Sequence, residues 1–155
     1  MDDVISECAG ISSGSWLASL RSIREDLKDH SQALHDALFR SRDDKDVPIL
    51  MRAQIAQAVA VLNRCAPLTR YYQEMQDGQP ALSPSEEARL AVALAHARTM
   101  ARSPVAGTQE SLNTLADAGF TTHGIVVISQ IVALVSYQVR VILGFQLAIE
   151  FNGDR

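Results

Sequence analysis

Cys65 is the residue whose type and position most favour chemistry in this sequence. It lies two residues before Pro67, and proline is common in the first turn of a helix, so we predict that Cys65 lies at or just before a helix N-terminus. The free N–H groups and the helix dipole there stabilise a thiolate, and Arg64 would add positive charge. Such a thiolate could reduce a peroxide and become a sulfenic acid that a second thiol resolves. A small, buried and inert cysteine is the alternative interpretation.

Three further side chains are candidates for the same chemistry. Cys8 is a conceivable resolving thiol, in a terminal segment that we expect to be mobile. Tyr72 follows Cys65 by seven residues, about two helical turns, so it could donate a hydrogen bond into a shared pocket, or simply pack with its hydroxyl anchored. His96 lies in an alanine-rich segment, where it could face a pocket or form a structural hydrogen bond.

The composition favours a soluble helical domain and excludes several other classes. The chain has 155 residues, of which 47% are hydrophobic and 5% aromatic, with a net charge of −4. This length corresponds to about one domain, and two cysteines are too few for a disulfide framework or a zinc cluster. Mild acidity without a basic patch argues against nucleic-acid binding. We expect no cofactor and no metal, and a cytoplasmic location with reduced thiols, since the acidic N-terminus lacks the features of a secretory signal.

The first half of the chain carries three helical stretches. An apolar stripe from Trp16 to Phe39 predicts the first, which the charged cluster at 40–46 should end in an exposed loop. Pro48 suits the first turn of a second helix that continues to Leu62. After an interruption at 63–67, a third stretch carries Leu68, Tyr71, Tyr72 and Met75.

The second half contains clearer helix boundaries. Ser83 and Glu86 can form a capping box for a helix that continues to about Ala101. Thr108 can cap a short helix that ends at Gly119, where a left-handed residue is needed. Because no segment alternates for long as a half-buried strand does, we predict one all-α domain, a helical bundle of about six or seven helices.

The last helix is long and apolar, over about 124–150, with Thr121 or Thr122 as its cap. We interpret it as a buried core helix rather than a membrane span, because polar residues interrupt the apolar run that a span requires. These are Gln130, Gln138 and Arg140. A helix that is apolar around most of its circumference also predicts a homo-oligomer, since one small domain does not cover it alone.

The segment from Arg52 to Cys65 resembles the core helix of the alkylhydroperoxidase D-like, or carboxymuconolactone decarboxylase, family. In that family an Arg-Glu pair opens the helix, and a Leu-Asn-x-Cys-x-x-Cys-x-x-x-His run closes it. The segment at 81–87, the short helix ending in Asp-Ala-Gly-Phe and the long apolar helix are similar in order. The resemblance covers residues 30–149, which leaves 1–29 as an N-terminal helical extension of a single domain over 1–155.

The resemblance implies an all-helical fold, homo-oligomers and, where the motif is intact, antioxidant peroxide reduction through the cysteine pair. Cys65 matches the first motif cysteine. Leu68 stands at the second cysteine, Tyr72 at the histidine and Ala53 at the glutamate. The chain thus resembles a peroxidase-related branch with a degenerate motif, in which the disulfide-forming cycle does not run as the family runs it.

Three functions follow from these observations. The first is a thiol peroxidase-like oxidoreductase with Cys65 and Tyr72 as its site, resolved by Cys8, a partner protein or a small thiol reductant. The second is a non-catalytic helical subunit that keeps the oligomeric scaffold and binds a related catalytic protein or a small apolar ligand. The third is a pocket enzyme for a hydrophobic molecule with Tyr72 or His96 as its acid. None of the three calls for a nucleic acid or a membrane.

Overall fold

The computed structural model describes residues 3–40 and 46–153. Within these ranges the protein is all-helical, which confirms the predicted fold class, with eight α-helices, one 3-10 turn and no strand. The helices are α1 (Val4–Ala9), α2 (Trp16–Ser22), α3 (Glu25–Phe39), α4 (Ile49–Leu62), α5 (Ala66–Glu74), α6 (Pro84–Arg102), α7 (Gln109–Asp117) and α8 (Thr122–Gly153), and the 3-10 turn at Pro104–Ala106 joins α6 to α7. Most of the charged cluster predicted as a loop lies outside the described residues.

The N-terminal segment from residue 3 onward packs into the core, so the expectation that Cys8 lies in a mobile terminus is wrong. Asp3 caps α1 by accepting hydrogen bonds from the N–H groups of Ile5 and Ser6. The same carboxylate pairs with Arg21 of α2. Cys8 is 9% exposed, and its neighbours on α1 contact α5 and α8. A capped helix with a buried apolar face is therefore held in place by burial as well as by its ion pair.

The apolar stripe of the N-terminal region belongs to two helices rather than one. Arg24, with φ −122° and ψ 59°, leaves the helical region between α2 and α3. The stripe is also largely exposed, since only part of each helix faces the bundle. Its exposed members include Trp16, Leu20, Ile23 and Leu27, each at least 48% exposed.

Helix α4 lies at the centre of the bundle and contacts α3, α5, α6 and α8. Its core-facing side chains are small or unbranched at several positions, which allows neighbouring helices to approach closely. Those that are 0% exposed are Met51, Ala53, Ile55, Ala56, Val59 and Ala60. The buried Arg52 ties the start of α4 to α3 by donating hydrogen bonds to the carbonyl oxygens of Val47 and Leu38, at 2.6 and 2.8 Å.

The predicted helix boundaries of the second half are confirmed. Ser83 and Glu86 form the reciprocal capping box of α6. Thr108 accepts a hydrogen bond from the N–H of Ser111 and caps α7. Gly119, with φ +91°, provides the left-handed residue that follows α7.

Asp46 fixes the start of α8, although it lies just before α4 in the sequence. Its carboxylate accepts hydrogen bonds from the N–H and hydroxyl of Thr121, and it pairs with Arg89 of α6. Thr121 in turn accepts from the N–H of Gly124 at 3.2 Å, so Thr121 is the cap. A Cβ atom at Gly124 would overlap the Asp46 carboxylate. The close approach of α8 to residue 46 therefore requires glycine at this position.

Helix α8 is long and apolar enough to cross a membrane by length and composition, and half of its most apolar window is buried in the bundle. Side chains between Val127 and Ile142 supply much of the core. The last turns differ, because Leu147, Ile149 and Phe151 are 59%, 40% and 78% exposed. The expected buried core helix is thus confirmed for the first part of α8 and is wrong for its C-terminal turns.

Candidate functional site

Cys65 lies at the N-cap of α5, so its predicted place at a helix start is confirmed. The chain turns sharply between α4 and α5, because Arg64 adopts a left-handed conformation with φ +56°. The N–H of Cys65 then donates to the carbonyl of Ala60 at 3.1 Å. This turn directs the Cys65 side chain into the core, where it is 0% exposed.

The surroundings of Cys65 disfavour a thiolate. Burial raises the pKa of the Cys65 thiol, and the N–H of Leu68, which points to the sulfur, offsets this only in part. The helix N-terminus therefore acts on the thiol as expected, but the loss of hydration outweighs it. Arg64 is exposed, where water screens its charge. At neutral pH the protonated thiol is the stable form. Of the two interpretations of Cys65, this state corresponds to the buried, inert cysteine rather than the reactive thiolate.

Cys8 and Cys65 belong to one buried core cluster, although they lie far apart in the sequence. Both are free cysteines. Burial, with a smaller contribution from the negative charge of Glu7, raises the pKa of Cys8 to about 12. The second thiol is therefore protonated as well.

The hydroxyl of Tyr72 is committed to a structural hydrogen bond. Tyr72 is 0% exposed and donates to Oε1 of Gln138 at 2.7 Å. Burial raises its pKa well above the ordinary tyrosine value. Its ring lies 5.1 Å from the Phe39 ring and 5.3 Å from the Tyr71 ring, measured between centroids. Tyr72 therefore packs in the core with its hydroxyl anchored, and it does not face a substrate pocket.

His35 is a buried polar residue that the sequence analysis did not single out. It is 1% exposed, its Nδ1 lies 3.3 Å from the Asp36 carboxylate, and its Nε2 lies 3.2 Å from the Tyr71 hydroxyl. Because a carboxylate only accepts, the neutral ring carries its proton on Nδ1, and Nε2 accepts from Tyr71. Burial lowers the pKa of His35. Its spacing from the buried Leu38 and Phe39, at i+3 and i+4, is the signal that could have placed it on the core face.

His96 lies in the wall of a cavity between α6, the 3-10 turn and α7. The cavity has a volume of about 470 Å³ and is mostly apolar. His96 is 9% exposed, and within the described ranges its Nε2 has no hydrogen-bond partner. His96 therefore makes no structural hydrogen bond through Nε2. Of the two interpretations, the geometry matches the one in which His96 faces a pocket.

The residues at the resembled motif positions do not form a proton relay. Ala53, Leu68 and Tyr72 are each 0% exposed, and Leu68 and Tyr72 pack in the same core cluster as Cys65. In the part of the chain that the structure describes, no group of three histidine, cysteine, aspartate or glutamate side chains could hold a metal ion.

Comparison with known proteins identifies no family for this chain. No family model matches it, and no curated protein sequence matches it either. The resemblance to the alkylhydroperoxidase D-like family continues to rest on the residues quoted from the sequence.

Proposed function

We propose that this chain is a non-catalytic protein of the alkylhydroperoxidase D-like, or carboxymuconolactone decarboxylase, type that works as an oligomeric helical subunit. The observation that carries the proposal is the state of Cys65, which is 0% exposed and has a raised pKa. A peroxidase cysteine must be a thiolate that peroxide can reach. Cys65 meets neither requirement.

The side chains around Cys65 support the same conclusion. Leu68 replaces the second thiol of the resembled motif, so no disulfide can form across one helical turn. Tyr72 replaces the histidine, and its hydroxyl already donates to Gln138. Ala53 replaces the glutamate and offers no acid or base.

The oligomeric part of the proposal rests on exposed apolar side chains of α2 and α8. The guanidinium of Arg21 lies 5.6 Å from the centroid of the Phe145 ring, which places α2 beside the second half of α8. Trp16 and Leu20 on α2 are both 49% exposed, and Phe151 on α8 is 78% exposed. Large apolar groups on neighbouring helices are typical of an association surface. We propose a second copy of this chain as the occupant, and a related catalytic protein as the alternative occupant.

A cytoplasmic location belongs to the same proposal. Two cysteines that are free and buried in one core suit a reducing compartment. Half of the most apolar window of α8 is already covered by the bundle, and association would cover more of this helix.

Analytical ultracentrifugation tests the proposed association. We expect a mass at micromolar concentration that is at least twice the 16.9 kDa of one chain. Phe151→Glu and Leu147→Glu should shift the protein to a monomer, because a charge placed in an apolar interface loses its hydration. Val105→Glu is the matched control, since Val105 is 92% exposed on the 3-10 turn, which packs against α6. A monomeric wild-type protein throughout the concentration range would contradict the proposal.

A thiol peroxidase-like enzyme is the second candidate, and the presence of Cys8 in the same core as Cys65 favours it. In that cycle the Cys65 thiolate attacks a peroxide oxygen, giving a sulfenic acid and releasing an alcohol or water. The Cys8 thiol then attacks the sulfenic sulfur, which forms a disulfide and releases water. Peptide mapping after treatment with peroxide tests this candidate, with Cys8→Ser as the control. A Cys8–Cys65 disulfide formed by the native protein would favour the enzyme over the non-catalytic subunit.

A further inference from the structure

We propose that the cavity between α6, the 3-10 turn and α7 binds a neutral, mostly apolar small molecule that makes one hydrogen bond to His96. This site is separate from Cys65 and from the exposed surfaces of α2 and α8. The inference therefore goes beyond the proposed oligomeric role and does not depend on it.

The size and the walls of the cavity suit a small organic molecule. Its volume of about 470 Å³ falls within the range of about 300–1,000 Å³ that is usual for such sites. Apolar side chains from three consecutive elements form most of the wall. They include Val92, Ala95, Met100, Ala106 and Leu115.

The chemistry of the wall selects against charged ligands. None of the residues that line the cavity is charged. The hydroxyls of Thr99, Ser111 and Thr114 donate to backbone carbonyls of their own segments at 3.1, 2.8 and 3.0 Å. An ion that entered the cavity would lose its hydration without gaining a partner of opposite charge.

His96 supplies the polar group that is left to recognise a ligand. The imidazole is nine-tenths buried in the cavity wall, and its Nε2 has no partner in residues 3–40 and 46–153. A buried polar atom without a hydrogen bond is uncommon and calls for a partner. Burial lowers the pKa of His96, so the ring is neutral at pH 7. The torsion about Cβ–Cγ is soft, so the ring can turn this nitrogen toward a hydroxyl in the cavity.

The wall can also adapt to the shape of a ligand. The Met100 side chain lines the cavity and packs against the backbone of Gly107, since a Cβ atom there would lie 3.0 Å from the Met100 sulfur. Methionine is unbranched and flexible, so it can move to accommodate an occupant.

Displacement of a fluorescent probe tests the site with defined ligands. N-phenyl-1-naphthylamine, a neutral apolar probe, is bound first and then displaced by 4-propylphenol, by propylbenzene or by 4-propylbenzoate. We expect the phenol to bind wild-type protein about 3- to 10-fold more tightly than propylbenzene, as one hydrogen bond provides. The benzoate should bind most weakly of the three, because its charge has no partner in the cavity.

Two pairs of variants locate the effect. His96→Leu should retain the probe and equalise the affinities for the phenol and propylbenzene, whereas His30→Gln, at an exposed histidine of α3, should leave the preference unchanged. Ala95→Phe fills the cavity from an exposed position and should abolish probe binding, whereas Ala88→Phe, exposed on the same helix, should not.

Three results of the displacement experiments would overturn the proposal. They are the absence of probe binding to wild-type protein, equal affinities for 4-propylphenol and propylbenzene, and undiminished probe binding by Ala95→Phe. Nitrogen-15 spectra of the histidine rings provide an independent readout that needs no variant. The His96 Nε2 resonance should shift when 4-propylphenol is added, and an unchanged resonance at saturating phenol would contradict the proposal as well.

Discussion

The hydroxyl of Tyr72 donates a 2.7 Å hydrogen bond to Oε1 of Gln138, which joins α5 to α8 across 66 positions of the chain. Both residues are at most 1% exposed. The tyrosine that stands at the histidine position of the resembled motif therefore holds two core helices together. The role of the Tyr72 hydroxyl in this geometry is structural. The residue that differs from the resembled motif at this position therefore contributes to the stability of the bundle.

Removal of this hydrogen bond should destabilise the protein. Tyr72→Phe leaves the Gln138 amide oxygen buried without a donor, and we expect a loss of about 1–3 kcal/mol in the free energy of unfolding. Urea denaturation measures the change. Tyr137→Phe is the control, because Tyr137 is 39% exposed and should lose little. Equal stabilities of Tyr72→Phe and wild type would contradict a structural role for the hydroxyl.

Two glycines of α8 should respond to alanine with opposite signs. At Gly144 an added Cβ meets no atom within 4 Å, so Gly144→Ala should stabilise the helix by about 0.5–1 kcal/mol. At Gly124 the Cβ would displace the Asp46 carboxylate from Thr121 and Arg89, and we expect a net loss of about 1–3 kcal/mol. Thermal unfolding of both variants measures these effects.

A double-mutant cycle tests the physical cause at Gly124. In an Asp46→Ala background the carboxylate is gone, so Gly124→Ala should cost much less than in wild type. The same cost in both backgrounds would show that the Asp46 carboxylate is not what excludes a side chain at position 124.

Stability should fall as the pH drops below about 6.5, the ordinary histidine pKa. Burial lowers the pKa of His35 in the folded protein, while Asp36 on its own helix opposes the shift and Arg40 adds to it. The unfolded chain therefore takes up the proton at a higher pH than the folded chain, and stability is lost as the pH decreases. One such group contributes a slope of at most about 1.4 kcal/mol per pH unit.

Urea midpoints between pH 7.5 and 5.5 measure this dependence. His35→Gln keeps a polar side chain that does not titrate, so its slope should be smaller than that of wild type. His30→Gln, at an exposed site, should keep the wild-type slope. An unchanged slope in His35→Gln would refute the assignment to His35.

Most helix boundaries could be predicted because a cap is a local interaction. The Ser83–Glu86 box, the Thr108 cap and the left-handed Gly119 all depend on residues within four positions of one another. The exposed stripe from Trp16 to Leu27 could not be predicted in the same way. Its spacing is helical, but which helix face meets the bundle depends on contacts that are distant in sequence.

In the candidate site, too, local features could be predicted from the sequence and long-range packing could not. Pro67 correctly predicted that Cys65 starts a helix, but the loss of hydration that raises its pKa comes from the packing of several helices around it. The sequence of the N-terminal segment predicts a mobile terminus, whereas its contacts with α5 and α8 place Cys8 in the core. The unpaired Nε2 of His96 likewise depends on how the elements around α6 pack.

The reaction of Cys65 with peroxide in the native protein tests the central claim most directly. Protein carrying Cys8→Ser is treated at pH 7 with hydrogen peroxide and dimedone, which traps sulfenic acid, and the Cys65 peptide is examined by mass spectrometry. Because the thiol is buried and protonated, we predict no adduct in the native state and an adduct once the chain is unfolded in urea. Rapid formation of the Cys65 adduct in the native protein, faster than in the unfolded chain, would contradict the account and establish Cys65 as a peroxide-reactive thiol.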